Sequence, residues 1–105
     1  MKHFALVGMK HRGAESLVHN LPEGEYVDLV REPDNRFDRF AVQVWARGRH
    51  VGYIAATQVR PVALAMDERQ KKFPLATERA RLSGRLHWSQ HGRDPVPLIG
   101  VQEVS

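Results

Sequence analysis

At 105 residues, 42% of them hydrophobic, the chain has material for one modest core and is too short for two. Its 16 Lys and Arg outnumber 12 Asp and Glu, and the formal charge of +4 suits an anionic partner without resembling a polybasic tail. With no cysteine, a disulfide scaffold, a redox pair and a thiolate zinc site are excluded, and a reducing, cytoplasmic setting is expected.

The run Phe4-Ala5-Leu6-Val7-Gly8-Met9 reads as a first strand, interrupted at His11-Arg12-Gly13. It is too short for the apolar region of a secretion signal, and no window approaches the ~20 apolar residues of a membrane span. After the turn Pro22-Glu23-Gly24-Glu25, the period of two in Tyr26-Val27-Asp28-Leu29-Val30 sets Val27 and Leu29 on one face of a second strand. Ala41-Val42-Gln43-Val44-Trp45 alternates again, with Val42 and Val44 inward and Gln43 and Trp45 outward. Arg47-Gly48-Arg49 is a hairpin connection, and Val51-Gly52-Tyr53-Ile54 is the return strand.

The period then changes. Val59, Val62, Ala63 and Met66 fall at helical spacing, Thr57 is the expected N-cap, and Pro61 fits because it sits in the first turn. A helix over about residues 58–70 follows. Arg79 to Trp88 and Pro97 to Val104 read as two last strands around the polar loop Ser89 to Pro95. One helix cannot cover both faces of a flat sheet made from these strands. The expected fold is therefore mainly β: a single domain over 1–105, a small OB-like or SH3-like β-barrel with the helix over one opening.

Between the second and third strands lies Arg31-Glu32-Pro33-Asp34-Asn35-Arg36-Phe37-Asp38-Arg39-Phe40, a polar turn with surplus charge and two rings. Core packing does not require that mixture. Asp34 and Asn35 after a proline suit a tight turn, one of the two phenylalanines is expected to pack, and Asp38 has Arg31 and Arg39 as potential ion-pair partners.

The run Val30-Arg31-Glu32-Pro33-Asp34-Asn35, with Phe37-Asp38, Ala41-Val42, Val51-Gly52-Tyr53-Ile54 and Leu64-Ala65, resembles the HIRAN domain family. The resemblance covers roughly Phe4 to Asp67. That family occurs as standalone bacterial proteins and at the N-terminus of eukaryotic helicase-like DNA-repair remodellers. What the resemblance implies is a modified OB-like barrel that binds single-stranded DNA and, in the helicase-like versions, captures a free 3′ end. By the resemblance Asn35, Phe37 and Asp38 occupy the pocket turn. A terminal nucleotide wants an aromatic face, an acceptor for its hydroxyl and donors for its phosphates. Phe37 would stack on the base, Asp38 would accept from the 3′-hydroxyl and repel a 3′-phosphate, Asn35 would donate through its amide, and Tyr53 would add a ring or a hydroxyl. Arg31, Arg36 and Arg39 are expected to meet phosphates, with Arg47, Arg49 and Arg60 as further cations.

Arg36 stands where the family commonly has proline, Phe37 where it has tyrosine, and Phe40 where it has a small polar residue. The 3′-end binders carry rings on the first strand, where this chain has Phe4, Ala5 and Leu6; only Phe4 supplies one. The expected function is a non-catalytic accessory to DNA repair or fork processing that binds single-stranded DNA or a DNA 3′ end. It needs no metal or cofactor, works beside a partner helicase or nuclease, and is a monomer or weak homodimer. Two alternatives stand beside it. An outward Trp45 also suits a protein-interaction module, and His87, His91 and Asp94 have a spacing that on a helix would hold a metal for hydrolysis. No phosphate-cradling glycine loop or nucleophile elbow is present.

Overall fold

Alternating sequences give strands one wet and one dry face, and in the computed structural model, which describes residues 2–87 and 95–101, the dry faces close on one another. The described strands are β1 (Lys2–Val7), β2 (Tyr26–Arg31), β3 (Val42–Ala46), β4 (Arg49–Ile54), β5 (Glu78–His87) and β6 (Pro95–Val101). They form a closed antiparallel barrel in the order β1-β4-β3-β2-β5-β6, with β6 returning to β1. Closure pairs the strand edges that an open sheet of this size would leave exposed.

Each strand sends apolar side chains to the shared interior: Leu6, Leu29, Val44, Val51, Leu82 and Ile99 are among the most buried. Burial of one such side chain contributes roughly 1.5–3 kcal/mol. The main helix, α2 (Val59–Lys72), adds Val59, Val62, Ala63 and Met66 to the same cluster, the stripe that the helical spacing predicts. Its N-cap position is Gln58 rather than Thr57, without a side-chain cap bond. Gln58 instead uses Oε1 to accept the N–H of Ala5 at 2.9 Å, which ties the start of the helix to β1.

A short helix, α1 (Glu15–His19), and a 3-10 turn over Lys10–Arg12 fill the β1–β2 connection, where the sequence reading places no element. Five residues are too few to display a period, so α1 is held from outside. Val18 is buried, and one guanidinium nitrogen of Arg85 donates to the carbonyls of Val18, His19 and Leu21, the acceptors a helix end leaves open.

The β3–β4 hairpin decides what the outer face carries. Arg47 and Gly48 both have positive φ, 52° and 76°, as a two-residue hairpin turn of the primed kind requires. The register then pairs Trp45 with His50 but Val44 with Gly52, which leaves Val51 as the extra residue of a β-bulge. Strict alternation would put His50 and Tyr53 on opposite faces. The bulge brings both rings to the same face, with centroids 5.0 Å apart and edge to face.

Candidate nucleic-acid interface

The β2–β3 loop is built around Glu32 and Asn35. Its ends are tied by the N–H of Glu32 donating to the Ala41 carbonyl at 2.9 Å. Asn35 Oδ1 accepts two backbone N–H groups, from Phe37 at 2.9 Å and Asp38 at 3.0 Å, while its Nδ2 donates to Glu32 Oε2. Asp38 Oδ1 accepts the N–H of Phe40 at 2.8 Å. These side-chain-to-backbone bonds replace strand pairing across the loop and fix its shape.

Glu32 is the centre of a wider network that joins the loop to the barrel wall. Its carboxylate accepts from Asn35 Nδ2, from Gln43 Nε2 at 2.9 Å and from the Tyr53 hydroxyl at 2.9 Å. Those donors favour the ionised form, so the Glu32 pKa lies below its ordinary 4.5; the Asn35 bond contributes most and partial burial opposes it. Gln43 passes the connection on by accepting the indole N–H of Trp45 at 2.8 Å, and Arg12 donates to the Tyr53 hydroxyl at 3.3 Å with its guanidinium over the ring. Beside them the His50 ring stacks on Trp45, 5.6 Å between centroids and 12° between planes. Burial first, and then the charge of Arg12, hold the His50 pKa below its ordinary 6.5.

A pocket of about 210 Å³ opens between this loop and the barrel. Asn35, Phe37, Asp38 and Ala41 line it from the loop, Val7 from β1, Tyr53 and Ile54 from β4, and Ala56 from the turn that follows. Four residues singled out in the sequence, Asn35, Phe37, Asp38 and Tyr53, therefore share one cavity. The Phe37 ring is 93% exposed, an unusual position for a large apolar side chain that an ordered turn holds in place. Phe40 is the phenylalanine that packs, against the edge of the core, with the guanidinium groups of Arg39 and Arg60 at 4.9 and 5.2 Å from its ring.

Other expected residues lie elsewhere. Phe4 points inward and is only 8% exposed, so its ring serves the core. Arg31 is a tie within the fold: it grips both carboxylate oxygens of Asp67 on α2, at 2.9 and 3.3 Å, and donates to the carbonyls of Ala41 and Arg39. Asp67, not Asp38, is thus its ion-pair partner. Arg47 is paired with Glu25, and Arg49 donates to the carbonyls of Arg12 and Gly13. Arg36 is exposed on the pocket loop and makes no ion pair among the described residues. Trp88, His91 and Asp94 lie outside the described residues. Among the described residues no group of three or more His, Cys, Asp or Glu is placed to hold a metal ion.

Sequence reasoning overlooked Glu32, Gln43, Arg12 and His50 as parts of the site. A signal existed for the first two: Glu32 opens the turn, and Gln43 is a polar outward residue opposite Tyr53 in the register. Arg12 comes from the β1–β2 connection, and only the closed barrel brings it to Tyr53.

Comparison with known proteins gives a consistent picture. The model of the HIRAN domain matches residues 2–86. A protein from Lactobacillus plantarum of known crystal structure is similar over 95% of this chain and 91% of its own, with 23% identity and a TM-score of 0.67. The crystal structure of the HIRAN domain of human HLTF is similar over 96% of this chain and 76% of its own, with 21% identity and a TM-score of 0.62. At these identities the likeness to both structures is one of fold. No curated protein matches the chain.

Proposed function

The chain belongs to the HIRAN domain family, a family of DNA-binding domains, and from that premise we propose that the pocket between the β2–β3 loop and β4 takes the terminal nucleotide of a single DNA strand. The observation that carries this reading is the exposed ring of Phe37 on a turn ordered by Asn35, beside a carboxylate in the same cavity. An aromatic face stacks on any base, worth roughly 1–3 kcal/mol per base, and the carboxylate of Asp38 accepts from a free 3′-hydroxyl but repels a 3′-phosphate. Asp38 commits Oδ1 to the Phe40 N–H, which fixes the carboxylate plane while Oδ2 takes the ligand. Arg36 and Arg39 on the loop, and Arg60 at the start of α2, supply the cationic rim. Asn35 shapes the loop through Oδ1 and one amide N–H, and the second N–H of its amide is the donor that a sugar or phosphate oxygen would meet.

In this reading the domain binds DNA and performs no chemistry, and a helicase or nuclease working beside it acts on the strand. Fluorescence anisotropy with strands ending in a 3′-hydroxyl or a 3′-phosphate tests it. The hydroxyl-ended strand should bind more tightly, and Asp38→Ala should erase the difference. Phe37→Ala should weaken both strands by roughly 1–3 kcal/mol, yet leave the melting temperature unchanged because the ring buries almost nothing. Equal binding of both strands by the native chain would discard end recognition and leave a general single-strand surface. No binding at low salt would discard DNA as the ligand of this pocket and favour a protein partner.

A further inference from the structure

Trp45 is left over from the site described so far. The core takes its neighbours Val44 and Ala46, and Trp45 is held on the outer face, half-buried, with its indole N–H satisfied by Gln43 and one ring face covered by His50. We propose that the Trp45–His50 stack is a second nucleobase station: a strand whose end occupies the pocket runs across Tyr53 and along β3 and β4, and its second or third base stacks on Trp45. This inference rests on the pocket reading above.

Three independent observations support the path. Tyr53 belongs both to the pocket lining and to the ring series, since it meets His50 edge to face, so the two stations are continuous. One carboxylate orders both: Glu32 accepts from Asn35 in the pocket turn, from Tyr53, and from Gln43, which in turn holds Trp45. The charge along the way also fits. Arg12 lies over Tyr53, and the acids towards the Trp45 end, Asp28 and Glu25, are matched by Arg79 and Arg47.

An abasic scan reads the path directly. Strands of about ten nucleotides, labelled at the 5′ end, carry a single abasic residue at the terminal, second, third or a distant position, and are titrated against the native chain, Trp45→Ala and Trp45→Phe. In the native chain an abasic second or third position should weaken binding roughly tenfold. In Trp45→Ala that inner penalty should vanish while the terminal penalty stays, and Trp45→Phe should keep most of it. An inner penalty that is absent in the native chain, or unchanged in Trp45→Ala, overturns the second station. If the terminal penalty and the Phe37→Ala loss persist in that case, the pocket reading stands without it; if they vanish too, the pocket reading falls as well. Should Trp45→Ala fail to fold, the native scan together with His50→Ala decides the matter in the same way.

Discussion

At the scale of single residues, Glu32 and His50 carry an acid sensitivity with two separate windows. Glu32 is an acid whose folded pKa is depressed, so its contribution to stability is complete above its ordinary value of 4.5 and is lost as the pH falls through the lower folded value. His50 is a base whose folded pKa is depressed, so the folded state resists the proton that the unfolded chain accepts; stability is complete above 6.5 and declines as the pH drops below it. The groups around His50 act in both directions, since burial and Arg12 lower its pKa while the Gly52 carbonyl and Glu32 raise it. Thermal melts from pH 7 downwards should show two successive losses. His50→Gln should flatten the first and Glu32→Gln the second; a melt that starts to fall only below pH 4.5 would mean that His50 does not titrate against the fold. The residue scale also shows what a sequence conceals. Asn35, Phe37 and Asp38, which the family resemblance puts in one turn, line a common cavity, whereas the part played by Glu32 depends on Gln43 and Tyr53, residues from two other strands.

At the scale of elements, strands and the main helix were legible because their apolar spacing is regular: Val42 and Val44 alternate inward, and Val59, Val62, Ala63 and Met66 line one helical face. The bulge at Val51 was not, since a register shift leaves no compositional mark, yet it is what brings His50 and Tyr53 to the same side. Gly52 sits beside that bulge and has its own reason to be glycine. A Cβ there would lie 2.4 Å from the Val7 carbonyl oxygen and 2.9 Å from Leu6 Cδ1, and the β1–β4 pairing it would disturb consists of Leu6 with Ile54 and Val7 with Tyr53. Gly52→Ala must therefore push β1 and β4 apart at the barrel seam next to the pocket. The expected cost is about 3 kcal/mol in denaturant unfolding, together with weaker DNA binding because Tyr53 is carried on the displaced strand. A fully stable Gly52→Ala with unaltered binding would mean that the seam yields without moving Tyr53.

For the whole molecule, the question is how a net charge of only +4 attracts DNA. The barrel sorts its charges by pairing some and leaving others open. Arg31, Arg47, Arg69, Arg79 and Lys71 are matched with Asp67, Glu25, Glu78, Asp28 and Glu68. Arg12, Arg36, Arg39 and Arg60, all on the side of the pocket loop, Tyr53 and Phe40, form no ion pair with a described carboxylate. The pocket loop also carries Glu32, Asp34 and Asp38, none of them in an ion pair among the described residues, so what draws a strand there is the placing of four guanidinium groups to meet phosphates rather than a local surplus of charge. Four phosphate contacts predict a slope of roughly −3 for log K against log salt, and loss of one contact should reduce that slope by about 0.7. Anisotropy titrations over a range of potassium chloride concentrations test the assignment. Arg36→Ala and Arg39→Ala should each weaken binding and lower the slope, and together lower it by about 1.4. Arg47→Ala should leave the slope unchanged, because that guanidinium is already neutralised by Glu25 and lies at the hairpin turn. If Arg47→Ala lowers the slope as much as Arg36→Ala does, the strand does not follow the pocket loop, and the attraction comes from the overall charge of the barrel.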